Sequence, residues 1–144
     1  MRFENDAEVW ALVERLEQCR LAPGEFSHRS HLAVGMAYLD AEGAVHTALE
    51  RLRATLLRYI AHLGKSGYHE TMTRFWLLRL EEVRASHTGL QLYELCNRAA
   101  DELADKGLVY EYYDRERLMS AEARGRWLEP CRQPIVVRGH SGRM

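Results

Sequence analysis

Two short segments of the chain gather side chains that can bind a metal or move a proton. The first is Phe26-Ser27-His28-Arg29-Ser30-His31-Leu32, and the second is Tyr68-His69-Glu70-Thr71-Met72-Thr73-Arg74. His28 and His31 are three residues apart. On a helix that spacing puts both imidazoles on one face, one turn apart, where they can address one ion. His69 stands at the mouth of a different predicted helix with Glu70 beside it. If the two helix starts lie side by side, these imidazoles and the carboxylate converge. Such a set suits a divalent transition metal (zinc, iron, copper or nickel), with an open position when one ligand is water. A metal-activated water would then be the reactive group. Successive helical residues point about 100° apart, so His69 and Glu70 cannot face one point equally well, and His69 ranks above Glu70.

The same residues support two other readings. Without a metal, His69 and Glu70 become an acid–base pair acting on a small molecule held between the two helices. In a third reading the chain is a non-catalytic interaction module, its histidines capping helices while an exposed apolar patch carries function. A short His-x-x-His occurs often without any ligand role. A helix start also disfavours the charged imidazolium, which suits a structural histidine as well as a metal ligand. Glu70 at a helix start complements the macrodipole whether or not it does chemistry. Thr73 and Trp76 share the His69 face: Thr73 suits holding the imidazole tautomer, and Trp76 reads as core.

The elements that must position these side chains are all helical. Apolar residues recur at helical spacing in nearly every segment, and no alternating β-branched stretch competes. Helices are predicted over 6–19, 28–39, 44–63, 69–85 and 90–105, followed by short ones over 108–113, 115–119 and 121–128. Ser27 and Ser120 are the natural N-caps of their helices. Pro23-Gly24, Gly43, Gly64, Gly67, Gly89 and Gly107 mark the breaks, Gly64 suiting a left-handed cap. In the helix over 44–63 the apolar stripe is Val45, Leu49, Leu52, Leu56, Ile60 and Leu63, with Arg51, Arg53 and Arg58 on the outward face. The prediction is an all-α, single-domain bundle of about five main helices plus short C-terminal ones, covering 1–134, with 135–144 as a flexible tail.

Composition narrows the function classes. The 144 residues are 47% apolar and 28% charged, as expected of one globular domain with a real core. Twenty basic and 21 acidic residues are interspersed, giving a formal charge of −1 and no nucleic-acid footprint. Apolar runs are too short to span a bilayer, and Met1-Arg2-Phe3-Glu4-Asn5-Asp6 is unlike a signal peptide, so the protein reads as cytoplasmic. Cys19, Cys96 and Cys131 are scattered and read as unpaired thiols. Histidine is the unusual component, with seven copies. His46, His62, His87 and His140 fall at helix ends, on surfaces or in the tail, and carry less weight than the two clusters. The expected partner is a small molecule. No pattern in the sequence sets an oligomeric state.

The two clusters also carry a resemblance. The chain resembles a family of small, uncharacterised bacterial helical proteins that share Phe-x-His-x-x-His-Leu, Tyr-His-Glu-Thr-x-Thr and a later Tyr-Tyr…Ala-Arg…Glu-Pro stretch. Here the last of these is Tyr112-Tyr113, Ala123-Arg124 and Glu129-Pro130, so the likeness spans about residues 26–134. It implies that His28, His31, His69 and Glu70 belong together, and it implies no activity. The family pattern continues with acidic residues after the Pro, where this chain has Cys131.

Overall fold

A computed structural model of the protein describes residues 2–137 and shows an all-α single domain. Its central element is α2, His28–Glu42, in which every residue from 32 to 39 is buried. A helix apolar on all sides must be enclosed by others. Around it lie α1 (Asp6–Glu17), α3 (Val45–His62), α4 (Glu70–Ser86) and α5 (Leu92–Glu102), all of which touch α2. A tight helical turn, Pro23–Glu25, leads into α2, and another, Lys106–Glu111, follows α5. The short helices α6 (Arg115–Leu118) and α7 (Ala121–Gly125) come last.

Local chemistry explains these boundaries. The Ser27 hydroxyl accepts from the Ser30 N–H at 3.2 Å and starts α2, as its sequence position suggested. Gly43 ends α2 at φ +77°, and its N–H donates to the Leu39 carbonyl. Beyond α3, Gly64 takes φ +69°, the left-handed geometry expected of it. The predicted helix over 6–19 closes two residues early, because Cys19 itself adopts φ +58°. Short helices also fall short of their periodic patterns: α7 stops at Gly125, three residues before the predicted end at 128.

Two apolar cores sit on opposite sides of α4. The larger joins α1 to α5, with Leu16, Leu32, Met36, Leu39 and Leu77 fully buried. The smaller gathers Phe75, Val109, Tyr113 and Leu118 between α4 and the C-terminal segment. The Thr71 hydroxyl laces that segment to α4 by donating to Arg126 O (2.8 Å) and accepting from Leu128 N–H (3.2 Å). The segment 135–137, expected to open a flexible tail, packs against the domain through Ile135 and Val137. Val137 is buried in the larger core and Ile135 packs against both cores, because apolar residues after Pro134 find an uncovered face. The rest of that predicted tail, with His140, lies outside the described residues.

The arginines of α3 are not simply solvated. Arg51 reaches Glu17 and Glu42 at 3.3 Å each and lies over the Tyr38 ring. Arg53 engages Glu70 on α4. Among the described residues no helix is long and apolar enough to cross a membrane.

Candidate functional site

The starts of α2 and α4 both line one cavity of about 730 Å³. The face of α2 at 28, 31, 32 and 35 supplies His28, His31, Leu32 and Gly35. The face of α3 supplies Leu52, Leu56, Tyr59 and Ile60, and α4 supplies Met72, Thr73, Trp76, Leu77 and Leu80. Phe26, Tyr68 and His69 come from the approaches to the two helices, and Lys106, Gly107 and Tyr110 from the turn after α5. Gly35 is needed at its position: a Cβ there would stand 2.7 Å from Leu80 Cδ1 and 3.4 Å from Leu77 Cδ2.

All three predicted histidine ligands line this one cavity, but their donor atoms are committed differently. His69 is buried and is itself the N-cap of α4. Its Nδ1 accepts from the Met72 N–H (3.1 Å), so the proton sits on Nε2, which donates to Leu118 O (2.7 Å). Burial holds its pKa below the ordinary histidine value, helped by Arg124 and opposed by the bond to Leu118. A metal at His69 would have to displace one of these bonds. Thr73 does share its face, but its hydroxyl donates to the His69 backbone carbonyl (2.7 Å).

Glu70 does not line the cavity. Its carboxylate is held bidentately by Arg53, at 2.9 and 2.6 Å, and accepts from the Tyr68 hydroxyl at 2.7 Å. The Arg53 bonds hold its pKa below the usual carboxylate range against the opposing effect of burial, with Tyr68 helping. Glu70 therefore works as a strut between α3 and α4, and orients Tyr68 on the cavity wall.

The α2 pair is freer. His28 Nε2 donates to Leu103 O (2.8 Å) and its ring meets Trp76 edge-on at 4.8 Å. No described residue bonds its Nδ1. His31 stacks on Phe26 with ring centroids 3.6 Å apart. Neither ring nitrogen of His31 has a hydrogen-bond partner among the described residues. Water reaches the ring, yet protein surrounds it. That desolvation, with His28 beside it, pushes its pKa down to about 4. At pH 7 it is a neutral imidazole with one donor and one acceptor to spare. Among the described residues no three or more His, Cys, Asp and Glu side chains are arranged to hold a metal ion.

Sequence reading missed Arg53 as the partner of Glu70 and Phe26 as the stacking partner of His31; Trp76, read as core, packs against both cores and also lines the cavity. A usable signal was present. Positions 28, 31, 32 and 35, and positions 69, 72, 73, 76, 77 and 80, each trace one helical face that mixes imidazole and apolar groups.

No family model matches the chain, and neither the curated proteins nor the solved structures contain a match to it.

Proposed function

We propose that this protein binds a small, largely apolar molecule in the half-open cavity between α2, α3 and α4, with His31 recognising its polar part. The supporting observation is the free imidazole. A side chain with two unused ring nitrogens lines a cavity whose other groups are mostly aliphatic or aromatic. Binding sites for small molecules have this composition, and typical volumes of about 300–1,000 Å³. His31 is exposed and its ring nitrogens are not engaged by any described residue, so both are open to a molecule that enters the cavity. His31 can also take a proton from a bound substrate, which extends the reading from binding to acid–base catalysis. His69 and Glu70 then serve as the frame that holds the cavity open.

The test uses Trp76 on the cavity wall as the reporter. Indole-free apolar probes such as toluene and decanol are titrated while tryptophan emission is followed. Saturable binding is expected in the wild type, and loss of it in the filled variant Ile60→Phe/Met72→Phe, with its fold checked by circular dichroism. No saturation in the wild type, or equal binding by a folded filled variant, would overturn the reading. Elemental analysis runs alongside. Stoichiometric transition metal that disappears in His31→Ala would replace the reading with a metal site on His28 Nδ1 and His31.

A further inference from the structure

The charge around the cavity is one-sided. The titratable side chains that line it are His28, His31, His69, Lys106 and three tyrosines, with no Asp or Glu among them. Glu70, next to the lining residue His69, is paired with Arg53. Asp105, next to Lys106 in sequence, is turned onto the Gly107 N–H at 2.8 Å. Lys106 is exposed and has no ion-pair partner among the described residues. His28 ties the start of α2 to Leu103, three residues before Lys106, and Lys106 lines the same cavity as His28 and His31. Of the three long helices that line the cavity, α2 and α4 do so from their N-terminal parts and α3 from Leu52 towards its C-terminal end. Their dipoles oppose one another, so the lining side chains set the sign of the site.

We propose that the ligand is a small monocarboxylic acid with an apolar body: the body fills the aliphatic part of the cavity and the carboxylate is held by His31 and Lys106. This rests on the cavity being a ligand site at all. A carboxylate is an acceptor-only group with two oxygens. It takes one hydrogen bond from the His31 ring and one from the Lys106 ammonium, and no acidic side chain on the wall repels it. An amine of the same shape would meet Lys106 as a like charge. An alcohol would leave the ammonium unused. The apolar body would lie against Leu52, Leu56, Met72, Trp76 and Leu80, which alone discriminate weakly between acids of different skeleton.

Matched probes separate this proposal from the one beneath it. Octanoic acid, octanol and octylamine, and likewise 4-phenylbutyric acid and 4-phenylbutanol, are titrated calorimetrically into the full chain at pH 7. The acids are expected to bind about tenfold or more tightly than the alcohols, the scale of a hydrogen bond to a charged group. Lys106→Met should bring the acid close to the alcohol, and His31→Leu should weaken the acid further. Alcohol or amine binding as tight as acid would overturn the carboxylate assignment while leaving the cavity as a ligand site. Acid preference unchanged in Lys106→Met would overturn it equally. If no probe binds, the ligand site itself fails and the acid with it.

Discussion

Two helices of this protein begin with histidine, and the beginnings have been put to opposite uses. At α2, Ser27 caps the first turn and the following histidines stay outside the capping bonds. At α4 the histidine is the cap, and both its ring nitrogens are bonded to backbone. The difference comes from one position. A histidine in the N-cap place has its ring drawn to the first-turn N–H groups. One placed a residue or a turn later points away from the helix end and towards whatever lies beside it. The residue type therefore says little by itself about function, and the place relative to the helix start says much more.

Substitutions can break or sharpen this contrast. The largest effect is expected at His69→Ala, which removes the α4 cap and leaves the Leu118 carbonyl unpaired. About 2–4 kcal/mol of stability should be lost in urea unfolding. A loss below about 0.5 kcal/mol would show that the bonds at this end are dispensable. Glu70→Gln comes next. It keeps the shape but removes the charge facing Arg53, at a cost of about 1–2 kcal/mol, reduced because that guanidinium is partly solvated. Gly35→Ala should cost about 1 kcal/mol by pressing on Leu80. It should also shrink the cavity, read as weaker probe binding.

The smallest change in stability is expected at His31→Ala, within about 0.5 kcal/mol at pH 7, because the ring makes no hydrogen bond there. Its signature is pH dependence. The pKa of His31 in the fold, about 4, lies below the unfolded value of 6.5. Between those values the unfolded chain holds more protons, so the stabilising contribution is complete above 6.5 and is lost as pH falls towards 4. His69, also depressed, adds to the same slope. Urea midpoints measured from pH 7 to pH 5 should fall in the wild type and fall less in His31→Ala. Parallel slopes would mean that the ring titrates as it does in solvent.

Much of the scaffold could be read in the sequence because its signals are local. Ser27 beside an apolar run, Gly43 and Gly64 after one, and the stripe from Val45 to Leu56 each need only their neighbours to be understood. That both histidine clusters stand at helix starts was legible for the same local reason, whereas whether those starts lie together depends on how α2 packs against α4. Arg53 stands on the outward face of the α3 pattern, and its partner, Glu70, is on another helix and becomes visible only once α3 lies against α4. A site between the two His-bearing helices was among the expectations, but the extent and lining of the cavity could not be read for a similar reason. The cavity is space that Gly35 and the set of side chains around it leave unfilled, and unfilled space has no residue to announce it. Val137 packed into the core where a tail was expected, because burial there depends on a surface assembled from distant helices.

The placing of α4 between two cores bears on how the protein is made. The cavity wall draws on both halves: Leu52, Leu56 and Leu80 belong to the larger one, while Val109 and Tyr110 come from the segment that forms the smaller one. During synthesis the first five helices therefore leave the ribosome with one side of the chamber still open. It gains its last wall only when the segment from Lys106 to Leu128 folds back against α4, and any guest it holds thereafter bolts the late-arriving part to the early one.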